Sequence, residues 1–278
     1  QIALVETFAS QAVIAIENAR LFEAEQTRTK ELQESLEQQT ASAEILKVIS
    51  NSLTDTQPVF DSIVQSGLKL FGNAAISIAL SDGQNINAVA IAESDSIRSE
   101  AWRSRFPFPL SRDYMHGAAI LDCKIVDIPD VANAPAEYVA GKRNFLASGY
   151  GAVTIMPMRR GGIAIGALSV VRLVPGPLSD KQLALLETFA DQAVIAIENA
   201  RLFEAEQTRT KELTESLEHQ TATADILRVI ASSPKDLDPV LGAVAENATR
   251  LCDAFDAIVF LRDGDYLRPA KHHGPIPL

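Results

Sequence analysis

Two rhythms of apolar residues run along this chain. From Lys181 to Ser233 no Gly or Pro occurs, and Ala, Leu, Glu, Gln and Arg dominate, all good helix formers. Leu185, Leu186, Phe189, Ala190, Ala193, Val194 and Ile197 recur at spacings of three and four, a broad helical stripe fit to pack on a sheet or a bundle. Beyond Phe203 the stripe narrows to Thr210, Leu213, Leu217, Gln220, Ala224, Leu227 and Ala231, with Glu204, Glu206, Arg209, Lys211, Glu212, Glu215 and Glu218 mostly off it. That is the seam of a two-stranded coil with polar members, and it favours a parallel dimer over a solitary helix crossing solvent. Ser179-Asp180, after Pro175 and Pro177, offers the N-cap, and Pro234 the stop. Such a helix is on the order of 80 Å long, too long for one small domain to cover.

Upstream the rhythm shortens. Pro58–Leu70 reads as an amphipathic helix. Ala75–Leu80 and Ile86–Ile91 read as strands joined at Asp82-Gly83, a strong hairpin signal. Ser96–Arg105 is a short helix carrying Trp102, and Pro107 and Pro109 impose an extended loop. Ser111–Leu121 reads as a helix capped by Ser111, Lys124–Ile128 as a short strand, and Pro135–Ser148 as a helix opened by proline. Gly151–Met158 and Gly162–Arg172 close the series as two strands around Arg159-Arg160-Gly161-Gly162. Hairpins at both ends imply an α+β domain, an antiparallel sheet with helices on its faces.

The long helix occurs twice. Gln1–Ser50 and Gln182–Ala231 are identical at 41 of 50 positions, at a constant offset of 181 residues. The match continues loosely, with Leu80-Ser81-Asp82-Gly83 meeting Leu261-Arg262-Asp263-Gly264. A period of 181 exceeds the roughly 20–50 residues of solenoid units and fits a domain plus its connector. The expected organisation is therefore a helix and connector at 1–40, a complete domain at 41–203, a coiled connector at 204–221 and the start of a second domain at 222–278. Both ends, including Gln1, read as cuts within a longer chain. A second hairpin (Ile258–Leu261 and Tyr266–Pro269) without the rest of its sheet is expected to be poorly ordered or to pair with another chain.

Composition narrows the function classes. A net charge of −11 argues against nucleic acid, whose phosphates call for Lys and Arg, and against an anionic membrane surface. The longest apolar run, Gly161–Val171, is far short of the roughly 20 residues that span a bilayer. Cys123 and Cys252 form neither a metal spacing nor a disulfide framework, which points to reduced thiols in a cytoplasmic protein.

The element order, the segment PLSRDYMHGAAILDCKIVDIPDV, the hairpin IMPMRRGGIAIGALSV and the exit helix LLETFADQAVIAIENARLF together resemble a GAF domain. The similarity is to those strung in tandem in bacterial multi-GAF sensor histidine kinases and related cyclase-linked sensors. It spans Ala41 to about Phe203 and restarts at Ala222. The resemblance implies a regulatory domain that binds a small molecule and passes the signal along a dimeric helix to an output domain. A ligand-free dimerisation spacer and a cyclic-nucleotide regulator of a cyclase are the alternatives. The family's cyclic-nucleotide constellation, Asn-Lys…Phe…Asp-Glu, is absent here, and Cys123 lacks the adjacent His of bilin attachment, standing between Asp122 and Lys124. His219 stands where the first copy has Gln38 and lacks a kinase phosphoacceptor context. No catalytic constellation is visible, and no cofactor or metal follows from the residues.

The expected ligand site lies between the sheet and the segments Ser111–Leu121 and Pro135–Ser148. Ser111, Arg112, Tyr114, His116, Tyr138, Arg143 and Tyr150 are its candidate polar groups. Tyrosine hydroxyls with arginine suit a carboxylate, a nucleotide or an aromatic ligand. His116 is the sharpest of them, since a lone imidazole can ligate haem iron or report pH.

Overall fold

The computed structural model describes residues 2–52, 54–72, 74–232 and 236–277, with 2–15 described by backbone alone. Packing divides the chain into Gln1–Leu202 and Phe203–Leu278. In the first unit α1 (Ile2–Asn51) and α2 (Gln57–Phe71) precede β1 (Ala74–Ser81) and β2 (Asn85–Ala92). Then come α3 (Ser96–Arg103), β3 (Phe108–Pro109), α4 (Met115–Asp122), β4 (Val126–Ile128), α5 (Val139–Ala147), β5 (Ala152–Arg160) and β6 (Ile163–Arg172). The strands form one antiparallel sheet in the order β3-β2-β1-β6-β5-β4, and α6 (Asp180–Ser232) follows. The α+β expectation holds.

Strand alternation deals the side chains to two cores. Ile76, Ile78, Met156, Met158, Leu168 and Val170 meet Ala41, Ile45 and Ile49 of α1, Val59, Phe60 and Ile63 of α2, and Leu186, Phe189 and Ala193 of α6. Ala75, Ala79, Val153, Ile155, Ala167 and Val171 face the other way, toward α3, α4 and α5. The broad stripe read at the start of α6 is thus buried on the sheet. Ser179 caps that helix reciprocally: its Oγ accepts from the Gln182 N–H at 3.3 Å, while Gln182 Oε1 accepts from the Ser179 N–H at 3.0 Å. The stop expected at Pro234 lies outside the described residues.

The hairpin of β1 and β2 carries a bulge. Ile78 pairs with Ala90 but Ala79 with Ala88, so Val89 is extra, and its carbonyl accepts from Gln57 Nε2 at 2.9 Å. The Asp82 carboxylate secures the turn by accepting from the N–H groups of Gln84 and Asn85 at 2.9 and 2.6 Å. At Gly166 on β6 a Cβ would stand 2.4 Å from the Ala79 carbonyl oxygen, the close backbone approach that a glycine within a strand marks.

Three elements differ from the sequence expectation. The helix read from Ser111 begins at Met115, because residues 111–114 turn back over its first turn. Ser111 accordingly accepts from the Asp113 N–H through Oγ at 3.2 Å and caps a turn. That fold-back needs Gly117, where a Cβ would lie 2.0 Å from the Ser111 carbonyl oxygen. Pro135 opens a 3-10 turn at Ala136–Tyr138 before α5 begins, and the Gly141 N–H donates to the Asp113 carbonyl at 3.0 Å. Phe108–Pro109, read as loop, pairs with Asn85-Ile86 as an edge strand, where a proline's missing N–H costs no ladder bond.

In the second unit α7 (Asp238–Leu251) packs on a hairpin of β7 (Ala257–Asp263) and β8 (Tyr266–His273). Its bulge falls between Val259 and Phe260, with Ala270 extra, 181 residues beyond Val89. Asp238, which stands 181 residues after Gln57, holds Lys271 at 2.5 Å beside that bulge. Phe260, Tyr266 and Leu267 of the hairpin remain exposed.

Candidate functional site

The core facing α3, α4 and α5 is built from rings. Trp102 packs on Phe145 at 5.0 Å between centroids and edge-on to Phe106 at 5.8 Å and Tyr150 at 5.6 Å. Phe108 stacks on Tyr114 at 4.6 Å, and His116 lies parallel to Phe145 at 6.0 Å. Each such pair adds about 0.5–1.5 kcal/mol beyond its buried area. The sequence places them together through local means: Trp102 on the buried face of α3, Phe106 and Phe108 on the run into the edge strand, His116 on the first turn of α4, and Phe145 on α5.

Between these rings, Arg105 and Asn144 is a cavity of about 10 Å³, room for one water at most. Its walls hold two buried polar atoms without a hydrogen-bond partner, Trp102 Nε1 and His116 Nε2. The residues are 3 % and 2 % exposed. An unpartnered buried group costs about 1–3 kcal/mol, so two in one small space are a notable concentration. Burial depresses the His116 pKa to about 4, which leaves the imidazole neutral at pH 7.

The sequence-derived candidates separate on this geometry. Tyr114 and His116 line the cavity. Tyr138 is half-buried against the same core. Tyr150 stands behind Trp102 and donates its hydroxyl to Glu93 Oε2 at 2.7 Å. Burial first, and then Glu93, push the Tyr150 hydroxyl pKa up. Ser111 is half-buried in its turn, whereas Arg112 and Arg143 are exposed. Arg112 is engaged by Asp122 at 2.7 Å.

Reading the sequence did not pick out Trp102, Arg105, Phe106, Phe108, Asn144, Phe145 or Glu93. The visible signal was Trp102-Arg103-Ser104-Arg105-Phe106-Pro107-Phe108-Pro109, three aromatic residues and two arginines within eight positions and the chain's single tryptophan among them. Glu93 is the hub of a buried network. Its side chain is 3 % exposed and accepts from Tyr150, from Arg98 Nη2 at 3.0 Å and from the Asp95 N–H at 3.1 Å. Burial pushes its pKa up, but these donors outweigh burial and hold the carboxyl below its ordinary value. The network ties α3, and with it Trp102, to the end of β2. Arg105 donates through Nε to Ser148 Oγ at 2.9 Å and has no carboxylate partner among the described residues. Cys123 ends α4 at φ +52° and is not part of the cavity wall.

Among the described residues no cluster of His, Cys, Asp and Glu is suited to a metal ion. None of the described helices is long and apolar enough to cross a membrane.

Comparison with known proteins agrees with the fold. No curated protein matches the chain. Among solved structures it is similar to residues 122 to 287 of a methyl-accepting chemotaxis protein, at 21 % identity over 59 % of this chain and 99 % of that one, with a TM-score of 0.49. It is also similar to the GAF domain of an Acinetobacter phosphoenolpyruvate-protein phosphotransferase, at 17 % identity over 60 % and 97 % of the two chains, with a TM-score of 0.48. The phycoerythrobilin-bound GAF domain of a cyanobacterial phytochrome gives 14 % identity over 60 % and 97 %, with a TM-score of 0.48. The GAF domain family model matches residues 55–197, just over half of the sequence. With its antiparallel sheet, its helices on both faces and this match, the chain belongs to the GAF domain family.

Proposed function

We propose that residues 41–203 form the sensing domain of a bacterial-type signal-transduction protein, which binds a small ligand on the aromatic face of the sheet. Tyr114, His116, Tyr138 and Tyr150 are the sequence candidates that belong to this site; Ser111, Arg112 and Arg143 stand at or beyond its margin. The observation that carries the reading is the pair of unpartnered atoms, Trp102 Nε1 and His116 Nε2, in one ring-walled cavity. Ligand pockets are mainly apolar with a few placed polar groups, and unmet hydrogen-bonding capacity is what a ligand can satisfy.

The cavity is nearly closed, so a ligand displaces part of its wall. Displacement of α3 is felt at Glu93 through Arg98, and hence at the end of β2. Opposite that strand's face lie α1, α2 and α6. Residues 1–40 read as the last helix of a preceding GAF domain with its connector, 204–221 as the coiled connector and 222–278 as the first part of another GAF domain. The matching bulges at Val89 and Ala270 support the last of these assignments. Leu213 and Leu217, 62 % and 64 % exposed on α6, supply the seam through which two copies pair, and the pair relays the change to an output domain such as a histidine kinase.

The near-closed cavity favours a second reading, a ligand-free dimerising spacer. Thermal unfolding against a panel of cyclic nucleotides, haem, bilins and small organic acids separates the two. A raised melting temperature with any of them supports the sensor; a flat panel leaves the spacer. Light scattering over a concentration series tests the relay, and a chain that stays monomeric removes it.

A further inference from the structure

We propose that the aromatic cavity takes a hydroxylated aromatic monocarboxylate: the ring lies among the side chains around Phe145, the carboxylate on Arg105, and the ring hydroxyl between Trp102 Nε1 and His116 Nε2. The inference rests on the sensor reading above and names the ligand class for that same site.

Each part of the ligand answers one feature of the wall. The rings that close the cavity offer faces and edges to a planar aromatic guest, and the space left by shifting one of them is the size of one ring. The indole N–H of Trp102 can only donate, so its partner must be an acceptor. His116, neutral at pH 7, presents either a lone pair or an N–H at Nε2. A hydroxyl satisfies both atoms at once, because it accepts from Trp102 and either donates to or accepts from His116. Arg105 lines the same cavity, and its only hydrogen bond among the described residues is to the neutral Ser148 hydroxyl. Arg98 and Arg112, by contrast, are matched by Glu93 and Asp122. An unmatched guanidinium at an apolar cavity in a chain of net charge −11 selects a planar anion, which it can hold bidentately.

The same features weigh against other guests. A quaternary ammonium would enjoy the ring faces but would sit beside Arg105 and leave the Trp102 N–H without an acceptor. A nucleotide is several times larger than one ring and carries more charge than a single arginine matches.

Trp102 is the sole tryptophan, so its emission reports this cavity directly in the full chain. The probes are 3- and 4-hydroxybenzoate, benzoate, phenol and benzyltrimethylammonium. Support is saturable quenching by a hydroxybenzoate, with benzoate and phenol each at least roughly tenfold weaker. Arg105→Gln should then remove the advantage over phenol while phenol binding persists. His116→Leu, followed by the same emission, should narrow the gap between hydroxybenzoate and benzoate. Saturation by phenol or benzyltrimethylammonium alone overturns the carboxylate class and leaves the sensor reading standing. So does an unchanged hydroxybenzoate affinity in Arg105→Gln. Silence from every probe overturns the class as well, and only a flat thermal panel in addition removes the sensor.

Discussion

Acidifying the protein from pH 7 to pH 5 should destabilise it through His116. The imidazole is buried among Trp102, Phe106, Phe108 and Phe145, and burial lowers its pKa from 6.5 to about 4. Between those values the unfolded chain holds a proton that the folded chain rejects, so every drop in pH favours unfolding. The stability tied to this group is intact above 6.5, is lost as pH falls toward 4, and changes no further below that. Integrating the difference in proton uptake gives a loss of about 2 kcal/mol by pH 5 and about 3 by pH 4. With a urea dependence of about 2 kcal/mol/M, the pH 5 loss lowers the midpoint by about 1 M. Urea unfolding followed by Trp102 emission at the two pH values measures it, with His116→Leu as the reference in which this group no longer titrates. His219, His272 and His273 are common to both proteins, so the difference between the two pH profiles belongs to His116. Equal losses in wild type and variant between pH 7 and pH 5 would refute the claim that the imidazole is buried and neutral.

Glu93→Gln removes the charge that Arg98 and Tyr150 share, and a loss of about 2 kcal/mol in urea unfolding at pH 7 is expected. Because the folded Glu93 pKa is depressed, its contribution is present above the ordinary carboxylate range and disappears as pH falls through the folded value; the variant should lack that part of the acid limb. Gly117→Ala drives a methyl group into the Ser111 carbonyl, and a destabilisation of about 3 kcal/mol, read from the urea midpoint, is expected. Arg112→Gln breaks a surface pair with Asp122, and both its urea midpoint and the Trp102 spectrum should stay at their wild-type values.

Most of the sheet was legible because its strands obey local chemistry. Asp82-Gly83 and Gly161-Gly162 mark turns whatever surrounds them, and the apolar runs beside them can only be strands of short length. The stripe Leu185–Ile197 was equally plain, since seven apolar residues at helical spacing need a covering surface. What escaped was set by contacts distant in sequence. The start of α4 depends on Ser111 folding back over Gly117, and Phe108–Pro109 becomes a strand only because Asn85-Ile86 lies alongside. The site list leaned on tyrosine and arginine as residue types, which brought in Arg112 and Arg143 on the surface. Trp102 and Arg105 acquire their interest from burial and from missing partners, properties that a sequence does not display.

The extra residue at Val89 works as a one-position frameshift in β2. Without it, Ile86 and Ala90 would share a face; with it, Ile86 goes to the aromatic core and Ala90 to the core beneath the long helices. Ile91, five positions after Ile86, can therefore rejoin the aromatic side. A deletion at this point would not merely shorten the strand. It would exchange the addresses of every side chain on one side of the gap, sending Ile86 under the helices and opening space beneath the rings. The hairpin tolerates changes of residue at the bulge, as Ala270 in the second copy illustrates, but not a change of count.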